Sequence, residues 1–301
     1  MKSLLQFLLV ITLIILTQQP MTAQWIQTNG PLSGTGRAFY FDGTFLYAGT
    51  YGGVYRSSNN GDEWTKTNNG ITTYSAYSFI KAGNYLFVGT DNGVFRTSNN
   101  GMNWEPSGDA TLKRSTLCLV NSSGKIYAGT NDGIYTSDNN GNTWTKILSF
   151  SNYLVWSLII DGNNIYAGTG GYGVYLSTNS GLSWTPINSG LNGLYVYSIG
   201  KVGTNLFAVT TSGGLFRSTN NGTLWTAVTN GISGSYGQHI FTNNNIIYAA
   251  LWGSGIFMSS NNGDSWTDIS TTLETNFIWC GYIYNNNIIV GSQGAGFFRS
   301  N

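Results

Sequence analysis

The sequence is short of charge, histidine, cysteine and proline, and each shortage removes a class of function. Asp, Glu, Lys and Arg make up 8 % of the 301 residues and balance to +1, where about 25 % is ordinary. Nucleic acid and anionic membranes are held by clustered Lys and Arg, so neither is an expected partner. One histidine, His239, and two cysteines, Cys118 and Cys280, give no zinc spacing and no disulfide framework. Phosphate loops and nucleophile elbows are missing as well, so the reading includes no metal and no cofactor. What the chain has instead is glycine (41 residues) and aromatic side chains (15 %) with only four prolines. That profile fits many short strands joined by tight turns around a ring-rich core.

The first 23 residues stand apart. Lys2 precedes an apolar run from Leu4 to Leu16, followed by Gln18-Gln19-Pro20-Met21-Thr22-Ala23. This has the layout of a secretory signal peptide. The run is shorter than the roughly 20 apolar residues of a bilayer span, and an uncleaved anchor is the alternative. The expectation is a mature chain from Gln24 to Asn301, secreted or periplasmic, monomeric and not inserted in a membrane.

The rest is organised by a repeat. The pattern Ser57-x-Asn59-x-Gly61-x-x-Trp64 returns five times, ending at Trp104, Trp144, Trp184, Trp225 and Trp266, with spacings of 40, 40, 40, 41 and 41 residues. A period near 40 residues is that of one four-stranded sheet per unit. A second pattern runs ahead of the boxes, from Leu46-Tyr47-Ala48-Gly49-Thr50 to Ile288-Ile289-Val290-Gly291-Ser292, in seven copies. The mismatch of seven against six resolves at the ends. Phe297-Phe298-Arg299-Ser300-Asn301 stops at the start of a box, and Trp25-Ile26-Gln27 begins where a box ends. Two halves of one unit suit a closed ring, in which the first strand completes the last sheet. The expectation is an all-β, seven-bladed β-propeller with four-stranded blades, the last closed by the N-terminal strand. In the second unit the strands fall near Ala76–Lys81, Tyr85–Gly89, Val94–Thr97 and from Trp104 onward. Within the box, Asn caps a turn, Gly supplies positive φ and Trp is buried between sheets, which makes these residues structural.

The motif resembles the Asp-box, or BNR repeat, along the whole mature length. That resemblance implies kinship with the propellers of sialidases, xyloglucanases, sortilin and photosystem II assembly factors. Asn stands at 59, 99, 139, 179, 220 and 261 where the family's name residue is Asp. The turn survives that change and a carboxylate role does not.

Aligning the units gives a column of small residues on the inner strands: Ala38, Ser78, Cys118, Ser157, Ser198, His239 and Cys280. Crowding around the central axis explains it, and it sets the two thiols in separate blades, too far apart for a disulfide. His239 is the large exception, a channel-lining side chain or a ligand contact. One position earlier stand Arg37, Tyr77, Leu117, Trp156, Tyr197, Gln238 and Trp279, mostly large rings. Seven tryptophans belong to the repeat, counting Trp25, and Trp156, Trp252 and Trp279 are extra. In the family, ligands sit on the face opposite the boxes. There the ligand candidates are Trp156, Trp252, Trp279, Tyr51, Tyr77, Tyr172, Tyr197 and His239, with Tyr74 and Tyr195 nearby. Such rings serve equally as platforms for sugars or peptides and as packing between blades.

Two functions follow. One is a non-catalytic binding or assembly module that recognises a protein or glycan through this aromatic face. The other is a carbohydrate-active, sialidase-like enzyme, with Glu274 facing Asp91 or Asp132. The sialidase arginine triad is not present as such, because Arg56, Arg96, Arg217 and Arg299 share one repeat position and spread around the ring. No catalytic residue is assigned.

Overall fold

The computed structural model describes residues 23–31, 34–108, 112–149 and 154–300; the segment read as a signal peptide lies outside them, Ala23 excepted. The described residues form 28 strands in seven four-stranded antiparallel sheets, six of them up-and-down meanders. In the second blade the strands are Ala76–Ala82, Tyr85–Thr90, Gly93–Thr97 and Glu105–Pro106, counted outward from the axis. They match the sequence reading to within a residue or so at each end.

The seventh sheet is ordered Trp25–Gln27, Phe297–Ser300, Asn287–Ser292, Ile278–Tyr284 from its outer edge inward. Trp25 pairs with Ser300 and Gln27 with Phe298. The ring is therefore shut by main-chain hydrogen bonds between the two ends of the propeller. Trp25 also does what two of the six box tryptophans do. Its Nε1 donates to Ile269 O in the sixth blade at 2.6 Å, as Trp104 Nε1 donates to Thr67 O and Trp225 Nε1 to Ile187 O in the blade before each. In each case the acceptor stands three residues after the preceding blade's own box tryptophan.

The boxes are hydrogen-bonded hubs. In all six, the Ser or Thr hydroxyl donates to Asn Oδ1 at 2.8–3.0 Å and accepts the Gly N–H. The same Oδ1 accepts the N–H of the residue before Trp, four positions on. Asn Oδ1 is the kind of acceptor a carboxylate oxygen would also supply, so Asn alone completes the hub. In three boxes the spare Nδ2 donates to a hydroxyl, on Thr143, Ser183 and Ser265. The turn needs two positive φ values rather than one. The residue before the glycine takes φ of 55–58° and is Asn in five boxes, a residue that tolerates this region.

Arginines join one blade to the next. Arg96 and Arg217 each donate from Nη1 to the carbonyl of that positive-φ residue in the following blade, Asn140 and Asn262, both at 2.6 Å; Arg56 reaches Asn100 the same way. Arg299 of the seventh blade reaches Asn60 of the first at 3.0 Å, which continues the pattern across the closure.

Close packing between blades explains the glycine of the second-strand pattern. A Cβ on Gly49 would sit 2.6 Å from Ala76 O on the next inner strand. In the fifth blade that glycine is Val209, and there the facing residue has become Gly237, whose own Cβ would meet Val209 Cβ at 2.4 Å. Side-chain volume moves from one wall to the other and the spacing is kept.

Candidate functional site: the bulged mouth of the channel

Every inner strand carries a β-bulge at its first turn of pairing. Register slips between Gly36 and Ala38, Ala76 and Ser78, Thr116 and Cys118, Val155 and Ser157, Val196 and Ser198, Gly237 and His239, and Ile278 and Cys280. The extra residue in each is the column Arg37, Tyr77, Leu117, Trp156, Tyr197, Gln238 and Trp279. A regular strand sends neighbouring side chains to opposite faces, whereas a bulge sets two residues against one and re-aims them. Both columns consequently line one central cavity of about 250 Å³. It lies toward the end of the inner strands that shares a face with the second-to-third-strand turns, opposite the boxes.

The small column ties blades together. Ser157 Oγ accepts the N–H of Ile199 and Ser198 Oγ that of Ile240, both at 3.1 Å. His239 Nδ1 accepts the N–H of Gly281 at 3.2 Å, the equivalent bond. His239 thus takes the place of a serine, as a neutral imidazole stacked on Phe241. Burial, aided by the charge of Arg37, lowers its pKa to about 4. Cys118 and Cys280 are free thiols in the third and seventh blades, pushed up to about 12 by burial.

The large column and its neighbours form two aromatic groups. In one, Trp252 meets Trp279 at 4.8 Å between ring centroids and Phe277 at 5.2 Å, while Tyr51 meets Tyr77 at 6.5 Å. Arg37 bridges these pairs, its guanidinium carbon 4.1 Å from the Trp279 ring centre and 5.3 and 5.4 Å from those of Tyr51 and Tyr77. In the other, Trp156 meets Tyr197 at 5.0 Å and Tyr197 meets Tyr236 at 6.4 Å. Burial and the hydrogen bond with Tyr236 push Tyr197 up to about 12, and the Arg37 charge acts on it across the mouth in the opposite sense.

Of the residues singled out in the sequence, Trp252, Trp279, Tyr51 and Tyr77 come together, and Trp156 joins Tyr197 instead. Tyr172 packs against the core cluster of Tyr127 and Leu158. Tyr74 and Tyr195 are exposed on the same face. Sequence reasoning passed over Phe277 and Tyr236, each two residues before a bulge and more than 40 % exposed. It also set Arg37 aside, although Arg37 is the one charged member of its column.

Rings occupy the arc from the fourth blade, with Trp156, round to the second, with Tyr77. The third blade presents charge instead: Arg114, just before its inner strand, and Lys146 each pair with Asp132 at 3.1 Å. Burial raises the Asp132 carboxyl, and hydrogen bonds from Thr130, Lys146 and Arg114 outweigh it and hold the group below its usual range. Glu274 is exposed, and neither it, Asp91 nor Asp132 lines the central cavity.

Comparison with known proteins places the fold. The DUF6242 beta propeller domain matches residues 24–155. Among solved structures, the chain is similar to YCF48 bound to D1 peptide, at 15 % identity over 93 % of this chain and 94 % of that one, with a TM-score of 0.75. It is similar to YCF48 from Cyanidioschyzon merolae, at 16 % over 92 % and 98 %, TM-score 0.72. It is also similar to the GH74 xyloglucanase from Xanthomonas campestris, at 18 % over 91 % of this chain and 53 % of that one, TM-score 0.73. The chain spans about half the length of that enzyme. No curated protein matches it. At these identities the likeness is one of architecture: the chain is a seven-bladed β-propeller, and its first 132 propeller residues are similar to the DUF6242 domain.

Proposed function

We propose that this propeller is a secreted or periplasmic, non-catalytic binding or assembly module that holds a protein or glycan on the face opposite the boxes. Its repeat is of the Asp-box kind, with Asn in the carboxylate's place. The observation that carries the reading is the set of seven bulges in register. Each bulge directs one extra side chain to a single mouth, and four of the seven are large rings: Tyr77, Trp156, Tyr197 and Trp279. Exposed Tyr51, Tyr236 and Phe277 continue that surface outward. Rings give stacking area at low entropic cost and dominate binding surfaces. YCF48, which shares the architecture, is seen bound to a D1 peptide, which supports a protein-binding use of such a fold.

The test is a glycan array and a peptide array probed with the protein and with its Trp252→Ala, Phe277→Ala double variant. Ligands found with the parent should bind the variant at least about ten-fold more weakly, since truncating a ring at the heart of an interface costs 2 kcal/mol or more. Equal binding by both would remove the reading.

A further inference from the structure

Arg37 differs from every other arginine of the chain. Arg56, Arg96, Arg217 and Arg299 bond box carbonyls, and Arg114 pairs with Asp132. Arg37 lines the central cavity, and its Nη1 is buried with no acceptor among the described residues. No carboxylate lines that cavity, so its one formal charge stands without a counter-charge. Two more donors of the same lining share this state, Trp279 Nε1 and Ser78 Oγ. A buried charge is costly unless it is paired and hydrogen-bonded. The guanidinium carbon stands over the Trp279, Tyr51 and Tyr77 rings, whose faces attract the charge but offer no acceptor, which leaves Nη1–H for an acceptor from outside.

We propose that the channel mouth is a carboxylate site: Arg37 takes the carboxylate of a ligand whose body lies on the surrounding rings. This rests on the binding role proposed above and names the chemistry of what is bound. A carboxylate brings two acceptor oxygens and a single negative charge, which suits one guanidinium with neighbouring neutral donors. A phosphate monoester brings nearly two charges, and the cavity holds no second cation to meet them. The carboxylate enters from the aromatic face as the end of a ligand, either an acidic sugar or a peptide C-terminus.

The test uses matched pairs against the full chain: glucuronate with glucose, and a short peptide with a free or amidated C-terminus. Calorimetry gives the affinities. His239 supplies a second readout, because it is the sole imidazole of the chain and feels the charge of Arg37. At least one carboxylate should bind about ten-fold or more tightly than its neutral twin, and that advantage should vanish in Arg37→Gln. The responding pair tells sugar from peptide. In the parent protein the bound carboxylate should also raise the His239 pKa, followed by NMR, by offsetting the guanidinium charge. That readout stands even if Arg37→Gln fails to fold.

The proposal is overturned if neutral twins bind as well as the acids, if the advantage survives Arg37→Gln, if His239 does not respond, or if neither acid binds at millimolar concentration. The two readings fail separately. Neutral ligands that bind and are lost on Trp252→Ala remove the Arg37 site and keep the aromatic surface. Carboxylate binding indifferent to Trp252→Ala and Phe277→Ala keeps Arg37 and removes the surface.

Discussion

The backbone N–H of Gly281 donates to Nδ1 of His239 at 3.2 Å, so the sole histidine of the chain fastens the sixth blade to the seventh. Ser157 and Ser198 make the equivalent bond between their blades. His239→Ser should therefore fold with a small change in stability, about 1 kcal/mol, while His239→Leu leaves the Gly281 N–H without its acceptor and should cost about 1–3 kcal/mol. Urea denaturation of the two variants checks the order.

The same residue sets a pH dependence. His239 has a folded pKa near 4, below its unfolded value near 6.5. Between these values the unfolded chain binds the extra proton, so stability is highest above about pH 6.5, falls as the pH drops to about 4 and levels off below that. His239→Ser should flatten that part of the curve. Denaturation midpoints from pH 7 to pH 4 measure it, and an unchanged slope in the variant contradicts the assignment.

The boxes should accept the carboxylate they lack. In Asn139→Asp the hub acceptor Oδ1 stays, and the Thr143 hydroxyl that accepted from Nδ2 turns to donate instead. The expected change is within about 0.5 kcal/mol, the usual size for surface substitutions. Asn139→Ala strips the hub of its acceptor and should cost about 1–3 kcal/mol. Thermal melts of the pair separate the two outcomes.

Ring closure should be visible at Trp25. Replacing it with Ala removes a buried ring from the cluster of Phe241, Tyr248 and Phe298, together with the bond to Ile269 O. The loss should be about 3–5 kcal/mol, as for other buried large aromatics. A cost below about 1 kcal/mol in guanidinium titration would show that the seventh blade holds without its outer strand.

Closure was legible because the two ends carry complementary pieces of one unit, and Trp25 stands at the box tryptophan's place in it. The strands were legible because Asn, Gly and the Leu-Tyr-Ala-Gly-Thr pattern punctuate every unit. The bulge was not. Arg37 and Ala38 are adjacent, and a regular strand would turn one of them away from the axis. Only the register of Gly36 with Thr50 and Ala38 with Gly49 shows that the strand admits an extra residue there. The arginine-to-box bonds were hidden for a similar reason. Arg96 and Asn140 lie 44 residues apart, and nothing local in the chain brings them together.

The most direct measurement of the account is hydroxyl-radical footprinting of the protein with and without a ligand drawn from the arrays. Tyr51, Tyr236 and Phe277, exposed around the mouth, should lose reactivity, while Met102, Leu182 and Leu224, exposed on the box side, should keep it. Protection of the box side with an unchanged mouth would contradict the account.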